Sequence, residues 1–519
     1  MEMDLLHTPP TPAQMVADAL SHDLDRAVIM LEDGAVLTAR DIRDSISRYS
    51  QLLASLDPKP FRAALLTKNR PEVPGVQNSF RFADIVSTSL HPMGSVEDYL
   101  YVIDHAGIDT LVYDDAFEDT VRELNARAPG LRNLFAIGKA GIGPSLNDMA
   151  SRFEPGPLVA KPGNPEDVVG IAFTGGTTGK PKGVLTTNRS SAMVTQVLLS
   201  EFEWPDEIRH LVCSPLSHAG ASVLTPILIK GGSMFVLPSF NPVSFMEAIE
   251  KHRITTTLMV PTMVLALIDH PRFAEFDLTS LQSIYYGASA FPPSRLKEAI
   301  EKLGPIFLQF YGQSEAPLAI TLLKKAEHLV DDPLRLASCG RPHPFVTVAL
   351  LDDEGNEVPD GEPGEICARG PQVMAGYLDQ PDETAEAFKH GWLHTGDIAV
   401  RNPDGFLRIV DRKKDMIVSG GFNVFAREVE NVIAAHPGVA QVAVIGVPHE
   451  KWGEAVTAVV VCAQGAAPDP AELMAMVREE KGPVQVPKAV HFVDAIPLSA
   501  VGKPDKKALR AQFVREEVS

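Results

Sequence analysis

The segment Val168-Val-Gly-Ile-Ala-Phe-Thr174-Gly-Gly-Thr-Thr-Gly-Lys180-Pro-Lys182-Gly-Val184 sets an apolar run directly before a loop of glycines, threonines and lysines. Val168 to Thr174 reads as a buried strand. Downstream, as far as Ser314, short apolar runs alternate with amphipathic stretches. Met234 to Leu237 and Thr255 to Val260 bracket a helical stretch, Pro242 to His252, with Phe245, Ile249 and the stem of Lys251 on its inner face. Ser283 to Tyr286 and Ile306 to Tyr311 bracket another, Pro292 to Leu303. Two βαβ units follow, and the fold class is α/β: a large N-terminal region of mostly parallel sheets flanked by helices. After about residue 411 the pattern changes to helix 427–435, strand 440–447, strand 455–462, helix 470–480 and strand 489–493. That order predicts a small α+β C-terminal domain.

The chain has 519 residues and a formal charge of −20. Such acidity argues against a nucleic-acid partner, whose footprint is basic. Residues 411–519 hold 13 basic and 14 acidic side chains, so all but one unit of that charge lies before them. Hydrophobic residues make up 45% and charged residues 22%, enough apolar material for more than one core. The four cysteines, Cys213, Cys339, Cys367 and Cys462, form no metal-binding or disulfide pattern. The N-terminus is acidic and proline-rich, unlike a signal peptide, and the longest apolar stretch, 257–268, is short of the roughly 20 residues that span a bilayer. A cytoplasmic protein without a transmembrane segment is expected.

The loop carries the densest chemical signal. Adjacent glycines let backbone N–H groups close on phosphate oxygens, Thr174, Thr177 and Thr178 add hydroxyls, and Lys180 or Lys182 adds charge. It is not a Walker A loop, because Thr174 stands where that motif needs glycine and Pro181 where it needs serine or threonine.

Together with four further motifs, this loop resembles that of the adenylate-forming enzymes: acyl-CoA synthetases, aryl-CoA ligases, luciferases and peptide-synthetase adenylation domains. The other motifs are Tyr311-Gly-Gln-Ser-Glu315, His394-Thr-Gly-Asp397, the stretch from Asp411 to Val424, and Pro497-Leu-Ser-Ala-Val-Gly-Lys503. The resemblance covers nearly the whole chain. It implies ATP, Mg²⁺ and coenzyme A as cofactors, and a reaction in which a carboxylate and ATP give an acyl-adenylate whose acyl group passes to a thiol.

Residue by residue, the resemblance makes Lys503 the lysine that bridges the carboxylate and the α-phosphate, where two anions meet and positive charge is needed. Glu315 becomes the Mg²⁺ carboxylate, with Thr177 beside it and Ser314 adjoining. Thr174, Gly175, Gly176, Thr177, Thr178, Gly179 and Lys182 form the phosphate loop. Gly287, Ala288 and Ser289 flank the adenine, and Tyr311, followed by Gly312, stacks on it. Asp397 accepts hydrogen bonds from the ribose hydroxyls, supported by Arg412. Lys414 is the hinge about which residues 414–519 rotate against residues 1–413 between the half-reactions. Gly420 and Gly421 either line the thiol tunnel or form a plain hairpin turn. His218 gates an acyl pocket bordered by Gly220, Ala221 and Ser222, small residues that leave room for a medium or long chain or a bulky polycyclic acid.

Four positions depart from the family pattern: Gly175 replaces a serine, Ser314 a threonine, Asn188 a common histidine, and Ala426 a frequent proline. The expected activity is that of an AMP-forming acyl-CoA synthetase. An acyl-adenylate ligase loading a carrier protein's phosphopantetheine is the alternative. A non-catalytic sensor of the same fold is disfavoured because Lys503 and Glu315 are both present. The assembly is left open between monomer and homodimer.

Overall fold

The computed structural model describes residues 9–174, 181–420, 422–449, 451–497 and 504–518, the last five for backbone only. Three sheets occupy the chain as far as Arg412. The largest has nine strands. Its centre is parallel: Arg209–Val212 lies between Ser233–Val236 and Thr256–Met259, followed by Ser283–Gly287 and Phe307–Gln313. Both expected βαβ units are present, and the first crosses over Arg209–Val212 instead of joining neighbours.

Local chemistry sets the connecting helices. Pro242–His252 starts where the Asn241 side chain accepts the N–H groups of Val243 and Ser244, with proline in the first turn. It ends at Arg253, which takes φ +50°. Phe245, Met246, Ala248 and Ile249 are buried, whereas Lys251 is exposed and its ammonium reaches the Glu32 carbonyl. The inner face therefore turns toward Met246 and Ala248, and Lys251 does not flank it.

A six-stranded sheet carries Val168–Thr174. That strand pairs antiparallel with Lys182–Thr187, Thr174 opposite Lys182. The phosphate-loop residues thus connect two strands of a hairpin, and the helix Asn188–Glu201 begins only after the second. Asn188, one of the departures from the family pattern, closes the loop before the hairpin: its side chain donates to the Asn164 carbonyl at 3.1 Å and its main-chain N–H to Asp167 O at 3.0 Å.

A four-stranded antiparallel sheet of Thr347–Leu351, Pro363–Arg369, Leu393–Arg401 and Leu407–Arg412 follows. Residues 413–416 lead from it into a five-stranded sheet containing Ile417–Ser419, Phe422–Val424, Val439–His449, Gly453–Cys462 and Ala489–Phe492. Both faces of this sheet are covered. Val429, Val432, Val456 and Leu473 pack on one side, and Ile445, Val459, Leu509 and Phe513 on the other. The helices Ala426–Ala434 and Pro470–Lys481 supply one layer, and the final helix from Lys506 the other. Among the described residues no helix is long and apolar enough to cross a membrane, and all four cysteines are free.

Asp411 and Ala426 join the last strand of the four-stranded sheet to the first helix beyond it. The buried Asp411 carboxylate accepts the Ala426 N–H, a bond that proline, usual at this position in the family, cannot make. Burial pushes the Asp411 carboxyl up to about 6. Ala426→Pro is expected to cost about 1–3 kcal/mol by leaving that carboxylate short of a donor. Because the folded pKa is raised, Asp411 favours the native state below about pH 4, and this contribution is lost as pH rises through about 6. Denaturant melts at pH 4.5 and 7.5 test both points: the proline penalty should be larger at 7.5, where the carboxylate is charged.

Candidate active site

The structure brings together Asp397, Arg412 and Tyr311. Asp397 lies opposite Arg412 across paired strands, 5% exposed. The Arg412 Nε sits 3.1 Å from its Oδ1, and the Tyr311 hydroxyl donates to its Oδ2 at 2.7 Å. One carboxylate thus holds together the nine-stranded and four-stranded sheets. Burial, with Asp397 beside it, raises the Tyr311 phenol well above its ordinary range, so the hydroxyl remains a donor.

Glu315 occupies the turn between Phe307–Gln313 and Ala316–Leu323. Its Oε1 accepts the Tyr377 hydroxyl at 2.8 Å, and its main-chain carbonyl accepts the Met374 N–H at 2.8 Å. Lys182 is engaged with Glu383, and its ammonium lies 4.9 Å from the centroid of the Tyr377 ring. Lys182 and Glu315 are therefore brought to one tyrosine, the ammonium over its ring and the carboxylate at its hydroxyl. Tyr377 is itself held by the strand after the loop, since Leu378 N–H donates to Gly183 O at 2.7 Å and Leu185 N–H to Gly376 O at 2.9 Å. Ser314 is half-buried in the same turn.

Gly287 and Gly312 are glycine for packing reasons. A Cβ on Gly287 would lie 2.4 Å from Phe310 O, and one on Gly312 would lie 2.5 Å from Ala316 O. Gly287 is buried, while Ala288, at φ +66°, and Ser289 are exposed at the strand's end. Thr174 ends the strand before the phosphate loop. Gly175, Gly176, Thr177, Thr178, Gly179, Gly421 and Lys503 lie outside the described residues.

The acyl-pocket segment is pinned by Asn69, which the sequence reading missed. Its Nδ2 donates to Ser214 O at 3.1 Å and Leu237 O at 3.2 Å, and its Oδ1 accepts the Leu216 N–H at 2.9 Å. His218 meets Ser217 Oγ through Nδ1 at 2.9 Å and faces His91 edge-on, ring centroids 4.9 Å apart. The residue is exposed, yet partial desolvation of its ring, with His91 beside it, lowers its pKa to about 4.

Gly220 does not open space toward a ligand: a Cβ there would meet Ser214 O at 2.8 Å and Pro215 O at 2.9 Å. Ala221 and Ser222 are half-buried. Ala221→Trp is expected to shift preference toward shorter acids by tenfold or more in kcat/KM, with ATP affinity kept. Gly220→Trp should instead lower the melting temperature. Thermal melts and kinetics across a chain-length series separate the two; an unchanged acid profile for Ala221→Trp removes it from the pocket.

Lys414 is exposed in a turn closed by the Asp415 N–H to Arg412 O at 2.9 Å, and partial desolvation, followed by the neighbouring Arg412 charge, lowers its pKa. Gly420, at φ +61°, follows Ile417–Ser419, which pairs with Phe422–Val424 so that Ser419 stands opposite Phe422. The Gly420 N–H donates to Trp452 O at 2.7 Å.

Residues 17–378 match the AMP-binding enzyme family, and residues 428–503 match the AMP-binding enzyme C-terminal domain. The chain is an AMP-binding enzyme. Similar relatives agree across the adenylate-forming superfamily. The medium/long-chain-fatty-acid–CoA ligase FadD8 of Mycobacterium tuberculosis is 48% identical, covering 98% of this chain and 91% of its own. A feruloyl-CoA synthase of an Amycolatopsis species is 34% identical, over 94% and 96% of the two chains. Among solved structures, the amide bond synthetase McbA of Marinactinospora thermotolerans superposes with a TM-score of 0.88 at 31% identity, covering 97% of this chain and 99% of its own. In this AMP-binding enzyme Asn69 and Tyr377 carry no catalytic motif signature. Only their positions, just past a strand end and after a glycine, set them apart in sequence.

Proposed function

We propose that this AMP-binding enzyme is an acid–thiol ligase that activates a hydrophobic carboxylic acid with ATP and transfers the acyl group to coenzyme A. The observation that carries this reading is the convergence of Tyr311 and Arg412 on the buried Asp397 carboxylate, in a chain whose other motifs follow the family order. The ribose hydroxyls would donate to Asp397, whose carboxylate Arg412 holds in place at 3.1 Å. The acid's carboxylate attacks the α-phosphorus, and the bond to pyrophosphate breaks. The thiol then attacks the acyl carbonyl and AMP leaves.

Glu315 fits a hard divalent cation: it is an oxygen donor fixed by the Tyr377 hydroxyl, and Lys182 lies over the ring of the same tyrosine. Mg²⁺ bound there would neutralise phosphate charge. The chain's own residues do the rest: Lys503 bridges the two anions, the phosphate loop orients the leaving pyrophosphate, and the segment 214–222 excludes water from the acyl chain. A fatty acid of medium or long chain suits an acyl segment that holds no carboxylate for an α-ammonium group. A panel of acids scored for AMP release with and without coenzyme A tests this. Acid-dependent AMP release that coenzyme A does not stimulate, with no acyl-CoA by mass spectrometry, would reject the thiol acceptor in favour of a carrier protein.

A further inference from the structure

Among the described residues, Glu365, Cys367 and His394 bring a carboxylate, a thiol and an imidazole within 4.8 Å of one another. A metal site is the obvious interpretation, and Lys413 argues against it. Its ammonium lies 3.2 Å from Glu365 Oε2, where it would repel an incoming cation. The carboxylate is already occupied by protein donors. Glu365 Oε1 accepts the Gly396 N–H at 2.8 Å, and Oε2 faces His394 Nδ1 at 3.0 Å. The other imidazole nitrogen sits 3.1 Å from the Lys389 carbonyl, which can only accept, so Nε2 carries a proton.

Glu365 is 4% exposed. Burial opposes its charge, but His394, the Gly396 N–H and Lys413 outweigh that and hold its carboxyl below the usual range. These partners belong to two segments. His394 and Gly396 lead into Asp397 along one strand, within which Gly396 takes φ +71°. Lys413 lies between Arg412, the partner of Asp397, and Lys414. The segments also meet directly, because the Lys413 N–H donates to Gly396 O at 2.8 Å. A second acid, Asp353, holds the Lys413 ammonium from the solvent side.

We propose that Glu365 is a positioning residue that sets Asp397 for the ribose hydroxyls and fixes Lys413, so that nucleotide binding and the pivot at Lys414 are coupled. This rests on the assignment of Asp397 to the ribose and needs neither the identity of the acid nor that of the thiol. Glu365→Gln keeps the size and one acceptor but removes the charge that His394 and Lys413 face. Lys413→Met keeps the stem and leaves Glu365 in place.

The test is calorimetric titration of the full-length wild type and both variants with ATP and with 2′,3′-dideoxy-ATP, followed by hydrogen exchange over residues 412–416. Glu365→Gln is expected to weaken ATP binding tenfold or more and dideoxy-ATP binding less than twofold. A merely structural loss would weaken both alike. ATP should slow exchange over 412–416 in the wild type, and Lys413→Met should lose at least half of that slowing with ATP affinity kept within threefold. Equal weakening of both nucleotides at unchanged melting temperature, or wild-type ATP binding by Glu365→Gln, overturns the positioning role. Full ATP protection in Lys413→Met overturns the coupling, and decides it even where Glu365→Gln melts early. Equal affinity of the wild type for the two nucleotides would overturn the ribose assignment and this inference with it, while leaving the ligase activity standing.

Discussion

Lys503→Ala is expected to lower acid-dependent ATP–pyrophosphate exchange by on the order of 10³-fold, with KM for ATP changed severalfold at most. The asymmetry follows from what adenylation requires. In the ground state the carboxylate and the triphosphate are separate anions, each with its own partners. In the transition state they share one phosphorus, and a cation between them interacts with more negative charge than it does with either alone. The loss therefore falls on kcat. Arg412 does not substitute, because its guanidinium is engaged with Asp397 at 3.1 Å. Lys182 does not either, since it pairs with Glu383 beside Tyr377. The second half-reaction, started from a synthetic acyl-adenylate, should retain its rate within a few-fold. Exchange at the wild-type rate in Lys503→Ala would remove this lysine from the chemistry.

Much of this was legible in the sequence, and the reasons differ by element. The helices Pro242–His252 and Pro470–Lys481 announce themselves by a capping Asn241 or Asp469 followed by proline. The strands Val439–His449 and Gly453–Cys462 read clearly because they are rich in valine and buried at their centres. Asp397 and Arg412 could be named from motifs, since a family repeats the residues that touch its nucleotide. What the sequence could not give is the set of long-range partners. Glu365 and Lys413 are 48 residues apart, Tyr377 and Glu315 are 62 apart, and Asn69 is 145 residues from the carbonyl of Ser214 it holds. Gly220 shows the opposite failure. Smallness suggested open volume, whereas the absent side chain makes room for the protein's own backbone. The Gly420-Gly421 pair had two readings in sequence, and the strands that flank it pair antiparallel with Ser419 opposite Phe422.

That pairing determines which substitution can separate the half-reactions. A side chain at Gly420 would be strained by its positive φ and would press on Trp452 at 3.1 Å, so both activities would fall together with the fold. Lys414 is the better probe. It is exposed, and the four-residue turn around it is held through its neighbours, by the Lys413 N–H to Gly396 O and by the N–H groups of Asp415 and Met416 to Arg412 O. Lys414→Pro fixes φ near −65° and restricts Lys413 before it. A pivot that must take two backbone conformations is then left with one. Adenylation needs a single arrangement and should persist within about tenfold, whereas thioester formation needs the turn to reopen and should fall on the order of 10²-fold or more, as expected where a conformational step gates the reaction. Exchange and single-turnover thioester formation on the same folded sample provide the comparison. Equal losses in both, at unchanged melting temperature, would contradict rotation about Lys414 and leave residues 413–416 as a plain connection between two sheets.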